Sequence, residues 1–237
     1  MISRVLGYKA YDHIAHLPGS GMNASDHLCT HVQARIALQE PRDAQDSIIV
    51  QEKIDGSNVA VAKINYQIVP LLRTGYRAET SKYWQHYCFA SWVLHPKRWI
   101  RFNELLEEGE RLCGEWLMQA HGTRYQLHHE PFVAFDLMRG TERLVFSDFI
   151  LRVTNWDFTV PNTVSIGGSV SIDKALDLLN VSGHGAIDQV EGAVWRVERN
   201  CKEVDFVVKY VRPDKVDGLY LPSISGEAPV YNWLPDC

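Results

Sequence analysis

The clearest pattern of apolar and polar residues lies at residues 47–64, which read SIIVQEKIDGSNVAVAKI. A β-branched run leads into a polar turn with Asp55 and Gly56, and the alternation then resumes at Val59 and Val61. A period of two is typical of a half-buried strand, and an Asp-Gly pair favours a tight turn. The pattern predicts a strand, a turn and a second strand.

Weaker patterns divide the rest of the chain. Aromatic and charged side chains at residues 79–108 have loosely helical spacing, which predicts a helix facing the core rather than a surface for stacking bases. Another helix is predicted near 172–180, opened by Ser171 or Asp173. Further strands are predicted at residues 112–118, 132–137, 143–153, 191–198 and 204–211. Many strands and few helices predict an α+β fold of mainly antiparallel sheets flanked by helices.

The first part of the chain has no clear period and is interrupted by Pro18, Gly19 and Gly21. We expect residues 1–45 to form an irregular lead-in packed on one larger domain, residues 46–237.

A chain of 237 residues with 46% hydrophobic and 22% charged residues has ordinary globular composition. It is long enough for one sizeable core.

Net charge and cysteine content limit which ligands and which cellular compartment fit this sequence. The net charge of −5 does not indicate a generally basic surface, so any site for a polyanion must be local. Two short clusters could supply one, namely Lys97, Arg98 and Arg101, or Lys209, Arg212 and Lys215. The first is interpreted mainly as a solvated face. Five scattered cysteines indicate reduced thiols, and no membrane-length apolar run or signal core is found. These features predict a cytoplasmic protein without a membrane partner.

Lys53 stands at the start of the Asp-Gly turn, where its amine would project into a cleft between sheets. A lysine is a nucleophile only without its proton, and an ordinary lysine has a pKa of about 10.4. Attack on phosphorus would therefore require burial or neighbouring cations to lower that pKa. Taken alone, the tetrapeptide is equally compatible with an exposed turn lysine.

Six motifs in a fixed order favour the chemical interpretation. They are EKIDGSN at 52–58, LLRTG at 71–75, CGEWL at 113–117, FVAFDL at 132–137, VEGAVWR at 190–196 and FVVKYVRP at 206–213. Together they resemble the covalent nucleotidyltransferase superfamily of RNA ligases, DNA ligases and mRNA capping enzymes, and most closely its phage and RNA-editing RNA ligases. The resemblance runs from about residue 50 to residue 215 and implies an ATP-grasp-like nucleotidyltransferase domain.

The first motif is the strongest match. The resemblance implies that Lys53 carries AMP, and that Glu52, Asp55, Gly56 and Asn58 belong to the turn that binds the nucleotide around it.

The next three motifs imply contacts to ATP and to the reacting end. Arg73 would engage phosphate, and Glu115 would accept hydrogen bonds from the ribose hydroxyls. Phe135 would stack on adenine, although by itself it would be interpreted as a core residue.

The last two motifs imply the groups around the phosphates. Glu191 would help to hold Mg²⁺ or Mn²⁺, and Lys209 would contact the α-phosphate and, as a like charge, lower the pKa of Lys53. Phage relatives carry a second lysine at the position of Val211. We hypothesise that Arg212 takes over that contact, although alternation along a strand would point it to the opposite face.

The implied reaction has three steps. Lys53 attacks the α-phosphorus of ATP and pyrophosphate leaves, AMP passes to the 5′-phosphate of an RNA end, and a 3′-hydroxyl then displaces AMP. The segment after Lys209 is too short for the C-terminal barrel domain of DNA ligases and capping enzymes, which favours RNA as the substrate. A weakly acidic minimal core should hold RNA loosely, so a helper protein is conceivable.

Alternatives stay open. A DNA ligase or RNA-capping core would use the same lysine chemistry on another substrate, and a catalytically silent module would retain only nucleotide or RNA binding. A metal hydrolase built on His121, His128, His129 and Cys113 lacks a recognised ligand spacing.

Overall fold

Two five-stranded sheets form the centre of the protein, whose computed structural model describes residues 3–235. The strands are β1 (Ala15–His16), β2 (Asp46–Lys53), β3 (Ser57–Ile64), β4 (Gln67–Leu72), β5 (Glu110–Trp116), β6 (Phe132–Arg139), β7 (Glu142–Arg143), β8 (Thr163–Gly167), β9 (Gly192–Arg199) and β10 (Glu203–Val211). Sheet A has the order β1-β10-β9-β2-β8, and sheet B the order β4-β3-β5-β6-β7. The paired strands are antiparallel except β1, which runs parallel to β10. The predicted α+β class is therefore confirmed.

Helices cover the outer faces of both sheets. They are α1 (His31–Leu38), α2 (Trp84–Leu94), α3 (Pro96–Leu105), α4 (Phe146–Thr154), α5 (Ile172–Leu178) and α6 (Pro222–Ser225), with a 3₁₀ turn at Ala78–Thr80. The core of sheet B is aromatic and includes Phe89 and Trp116, whereas the core of sheet A is mainly aliphatic around Trp195. Burying these large side chains stabilises each half by removing apolar surface from water.

The turn between β2 and β3 carries the chain from sheet A to sheet B. β2 pairs with β8 and β9, while β3 pairs with β4 and β5, so the two strands are not hairpin partners. The predicted strand, turn and strand are present, but they join two sheets. Lys53, the last residue of β2, consequently lies where the sheets meet.

Residues 143–153, predicted as a strand, are helical for most of their length, so that prediction was wrong. β7 ends at Arg143 and α4 begins at Phe146. Phe149 and Val153, four residues apart, are both buried, which is the spacing of one helix face. The predicted helix at 79–108 is divided into α2 and α3, with Pro96 in the first turn of α3, where a proline is tolerated. β4 and β8 were not predicted.

The N-terminal segment is more regular than the expected irregular lead-in. Thr30 caps α1, and Gln33 returns a hydrogen bond to it in a complete capping box. β1 adds to the edge of sheet A, and Tyr11 packs with the sheet B residues Ala60 and Cys113. The division of the chain at residue 45 stays a prediction.

The cysteines that the structure describes, Cys29, Cys88, Cys113 and Cys201, are free thiols, and Cys237 lies outside the described residues. Between residues 3 and 235, no helix combines the length and the apolar character needed to cross a membrane.

Candidate active site

A cavity of about 780 Å³ opens between the two sheets. Its walls include Lys53 from β2, Glu115 from β5, Phe135 from β6 and Lys209 from β10, together with Glu191 immediately before β9. A cavity of several hundred Å³ with convergent charged groups is the usual form of a small-molecule site. The motifs therefore meet in one place although they are widely separated in sequence.

Lys53 forms an ion pair with Glu191. Their Nζ and Oε2 atoms are 2.5 Å apart, and the two side chains are only 20% and 14% exposed. Strand register brings them together, because Lys53 pairs with Gly192, the residue after Glu191. The amine thus points into the cavity and not into bulk solvent.

The charge of Lys53 is set by burial and by the carboxylates around it. Burial alone would lower the pKa of Lys53, but the carboxylates of Glu191, Glu115 and Asp55 outweigh it and raise the pKa well above its ordinary value. The ligand-free protein therefore favours the ammonium form of Lys53, and the prediction that the amine is uncharged beside a bound triphosphate stays a prediction. The like-charge effect falls on Lys209 instead, whose pKa is lowered by burial and by Lys53.

Two of the three glutamates that line the cavity, Glu115 and Glu191, have strongly raised pKa values. Burial raises the pKa of Glu115 to about 8, with Lys53 opposing the rise and Glu191 adding to it. Burial likewise raises the pKa of Glu191 to about 7, again against the effect of Lys53. Perturbed carboxyl groups in a cavity are characteristic of a functional site.

The Asp55-Gly56 turn is anchored to both sides of the site. Oδ2 of Asp55 accepts hydrogen bonds from the Gly122 amide at 2.9 Å and the Thr123 hydroxyl at 3.0 Å. The Gly56 amide donates to Oε1 of Glu115 at 3.2 Å. A Cβ on Gly56 would lie 2.7 Å from a backbone carbonyl oxygen, so the close approach requires glycine.

Glu52 and Asn58 flank this turn. Glu52 is buried and accepts hydrogen bonds from the Ser182 hydroxyl at 2.6 Å and the Gly183 amide at 2.9 Å. It lines the cavity while holding the loop that follows α5. Asn58 pairs with Glu115 across sheet B, and its Oδ1 is a buried acceptor without a partner in residues 3–235.

Phe135 and Arg73 lie where the N-terminal segment reaches the cavity. The ring of Tyr11 meets that of Phe135 edge-on, with 5.0 Å between centroids. Arg73 donates from Nη2 to the carbonyl of Asp12 at 3.4 Å. Both predicted residues line the cavity, and Phe135 is only partly buried.

Arg212 is not brought into the cavity. Val211, Pro213 and Lys215 line the wall there, as strand alternation predicted, and the Nε of Arg212 is buried without a partner in the described part of the chain. Lys215 supplies the nearby cation and donates to the carbonyl of Gln189 at 2.7 Å.

A known protein family matches the part of the chain that supplies these cavity residues. The family model described as RNA ligase matches residues 46–211, which is most of the sequence and contains Lys53, Glu115, Glu191 and Lys209. The chain belongs to the RNA ligase family. No curated protein matches it by sequence.

Solved structures resemble this RNA ligase family member in fold. A mutant of Naegleria gruberi RNA ligase with ATP and Mn has a TM-score of 0.51 at 14% identity, over 86% of this chain and 60% of that one. A proposed ATP-dependent DNA ligase from Aquifex aeolicus has a TM-score of 0.50 at 16% identity, over 85% and 49%. An archaeal ATP-dependent RNA ligase gives 0.48 at 17% identity, over 84% and 48%. The chain therefore spans about half to three-fifths of these proteins.

Several cavity residues of this family member were missed from the sequence. His16 is buried in β1, with Nδ1 2.7 Å from the Ser20 hydroxyl and Nε2 3.4 Å from a carboxylate oxygen of Asp26. Burial lowers the pKa of His16 to about 4. Arg196 also lines the cavity and is ion-paired with Asp136. The alternation of side chains along β9 could have identified Arg196 as a cavity residue. No pattern in the sequence around His16 indicated that it faces the cavity.

In the first basic cluster, Lys97, Arg98 and Arg101, the two arginines contact other side chains of the protein. Arg98 and Arg101 both contact Glu130, at 2.8 Å and 2.6 Å, and Arg98 lies over the ring of Trp92. Both arginines are therefore paired within the protein and mostly shielded, rather than lying on the solvated face that was expected, and the role of this cluster toward RNA stays a prediction.

Proposed function

We propose that this chain is an ATP-dependent RNA ligase that carries AMP on Lys53 and joins a 5′-phosphate to a 3′-hydroxyl. Membership of the RNA ligase family supports the reaction class. The main structural support is the contact of Lys53 with Glu191 in a cavity shared with Glu115, Phe135 and Lys209.

The cavity residues suggest how ATP would be oriented. The partly exposed ring of Phe135 offers a stacking surface for adenine, and the Glu115 carboxylate can accept hydrogen bonds from the ribose. The Asp55-Gly56 turn holds Glu115 in place through the Gly56 amide. Lys209 would contact the α-phosphate on the same side as Lys53, with Arg73 at the reacting end.

The reaction would proceed by three transfers. Lys53 Nζ forms a bond to the α-phosphorus as the bond to pyrophosphate breaks. The 5′-phosphate of RNA then takes AMP from Lys53, and the 3′-hydroxyl attacks that phosphate and releases AMP. Positioning and charge neutralisation would supply most of the rate enhancement, as is usual in phosphoryl-type transfers.

Lys53 must lose its proton before the first transfer. In the ligand-free protein the Glu191 contact favours the charged amine. When that contact loosens, Lys53 loses the strongest of its pKa-raising neighbours. Burial and the like charge of Lys209 then lower its pKa against the weaker opposing effects of Glu115 and Asp55. We propose that the ion pair stores Lys53 in its unreactive form until the nucleotide is bound.

Glu191 would hold a divalent cation, Mg²⁺ or Mn²⁺, close to the Glu115 carboxyl group that we assign to the ribose. Both carboxyl groups are buried at the same cavity and both have raised pKa values, so a cation would relieve their charge. No cluster of three or more metal-binding side chains occurs within residues 3–235, which suits an ion that takes other ligands from substrate phosphates and water. When bound, such an ion neutralises phosphate charge and polarises the phosphoryl group.

RNA is the proposed macromolecular partner, and the cytoplasm is the proposed location, on the strength of the unpaired thiols. A helper protein also stays a proposal. Its basis is the net charge of −5, which limits how many RNA phosphates the chain can neutralise.

Intact-mass measurement after incubation with ATP and Mg²⁺ tests the chemistry. The parent protein should gain one AMP, and Lys53→Ala and Lys53→Arg should gain none. Lys53→Arg retains a cation for Glu191, so its failure would not reflect a lost ion pair. Lys174→Ala, an exposed lysine on α5, is the matched control and should still be labelled. An AMP adduct on Lys53→Ala would refute the proposal.

Substrate choice needs a second assay. Labelling with ATP against GTP separates ligases from capping enzymes, and sealing of nicked RNA against nicked DNA separates the two ligase classes. An AMP adduct without sealing of either would indicate a module that has retained only the first step.

A further inference from the structure

Three aromatic side chains at the start of α2 are exposed to solvent. Tyr83, Trp84 and Tyr87 are 52%, 50% and 46% exposed, whereas Phe89 and Trp92 of the same helix are buried in the sheet B core. We call these three rings, Tyr83, Trp84 and Tyr87, the aromatic surface. The predicted core-facing character of residues 79–108 therefore holds for only part of the aromatic set. Neighbouring exposed rings on one surface commonly mark an interaction site.

The aromatic surface continues into the cavity through His86. The ring of Tyr83 meets that of His86 edge-on at 5.8 Å, and His86 lines the cavity. His86 Nε2 is 2.7 Å from the Ser57 hydroxyl, directly after the Asp55-Gly56 turn. A strand whose end lies in the cavity could therefore reach these rings without crossing a core element.

The chemistry around the rings suits a nucleic-acid strand. The Lys82 ammonium lies 5.1 Å from the Tyr83 ring centroid, and no carboxylate of residues 3–235 lies within ion-pair distance of it. A free cation beside flat, sequence-tolerant stacking surfaces is the combination that binds single strands. Trp84 is held edge-on by Tyr231 at 5.4 Å, so part of the surface is ordered before a ligand arrives.

We propose that the aromatic surface stacks unpaired bases of the RNA strand whose end is joined in the cavity. This proposal rests on the proposed function for its substrate. Lys82 would contact the backbone phosphate, and the tyrosine rings would stack on bases beyond the reacting end. RNA is favoured over a protein partner because the surface is continuous with the cavity and carries an unpaired cation.

Affinity for a fluorophore-labelled single-stranded RNA, measured by anisotropy without ATP, tests the proposal. The double variant Tyr83→Ala with Tyr87→Ala should bind about tenfold or more weakly, because stacking on each ring is a substantial part of single-strand affinity. Tyr83→Phe with Tyr87→Phe should bind like the parent, since the rings remain. Lys82→Ala should reduce the dependence of affinity on salt.

Tyr66 provides the matched control. It is 82% exposed in the turn after β3, at the other end of that strand from Ser57. Its φ is 61°, so Tyr66→Asn removes the ring while keeping a residue that tolerates the left-handed region. This variant should bind RNA like the parent. Equal loss of affinity in Tyr66→Asn and in the double alanine variant would overturn the proposal.

The AMP adduct separates this proposal from the proposed function. The double alanine variant should still acquire AMP from ATP, which also shows that it is folded. Unchanged RNA affinity in that variant refutes the stacking surface while leaving ligation intact. Failure of the parent protein to acquire AMP refutes the proposed function, but the RNA affinities can still be compared.

Discussion

Replacing Glu191 by glutamine should lower the pKa of Lys53. The substitution preserves the shape of the side chain but removes the negative charge 2.5 Å from the lysine ammonium. Burial, which favours the neutral amine, is unchanged, and Lys209 continues to oppose the charge. We therefore expect the neutral fraction of Lys53 to rise at every pH below its pKa.

The magnitude follows from the geometry of the pair. At 2.5 Å, Coulomb's law gives about 1.7 kcal/mol with the dielectric constant of water and about 7 kcal/mol at an effective value of about 20. One pKa unit corresponds to about 1.4 kcal/mol, so the weaker limit is a fall of about one unit. Because both side chains are mostly buried, the true fall should exceed that limit. At fixed pH, each unit makes about ten times more neutral amine.

Competitive acetylation of the ATP-free protein measures this pKa directly. The modification rate of Lys53 is followed by peptide mass spectrometry across a pH series, with the exposed Lys174 of the same molecule as reference. Lys53 in Glu191→Gln should react at least tenfold faster than in the parent at a pH below both pKa values.

Glu198→Gln is the control for this measurement, since Glu198 is another buried carboxyl group near the far end of β9. It should leave the profile of Lys53 unchanged. An unshifted profile in Glu191→Gln, or one shifted to higher pH, would show that the ion pair does not govern the charge of Lys53.

Three other predictions test the surroundings of the site. Asp136→Ala should lower the free energy of unfolding, measured with urea, by about 3–5 kcal/mol, because it removes the nearer carboxylate of the buried Arg196 and leaves its guanidinium with only Glu198 at 3.8 Å. Gly192→Ala should slow AMP-adduct formation at least about tenfold, because the added Cβ would overlap the Tyr210 carbonyl and displace the strands beside Lys53; unchanged kinetics would contradict this. Burial raises the pKa of Glu115 to about 8, against about 4.5 in the unfolded chain, so the folded state binds more protons between those pH values. The parent should therefore lose stability relative to Glu115→Gln as pH rises from 4.5 to 8. Urea denaturation at both pH values measures that difference, and the opposite trend would exclude it.

Secondary structure was predictable where one period dominates. The β-branched run before the Asp-Gly turn and the alternation after it predicted β2 and β3 correctly. It failed at residues 143–153, because β-branched and aromatic residues there favour a strand while Phe146, Phe149, Ile150 and Val153 have helical spacing. Burial against sheet B decides between the two, and burial is not visible in the local sequence.

The site was predictable to the extent that its residues lie in recognisable motifs. His16 was missed because β1 has only two residues, and its pairing with β10 is a contact between distant parts of the chain. No sequence pattern indicated that the ligand-free protein favours the charged form of Lys53 either. Only Lys209 was considered as its neighbour, whereas the folded protein places three carboxylates around it. Whether the pKa of Lys53 rises or falls depends on burial and on all the charges that the fold places around the amine.

Gly192 explains why the charges meet in one place. Lys53 and Lys209 lie on strands either side of β9, and Gly192 pairs with both Lys53 and Val211. The carbonyl of Tyr210 occupies the space that a side chain at 192 would need. Without that close approach, β10 would lie farther from β9, and Lys209 would move away from the Lys53–Glu191 pair. A glycine directly after the glutamate is therefore a steric requirement of the site, because it allows a lysine, a carboxylate and a second lysine on adjacent strands to share one cavity.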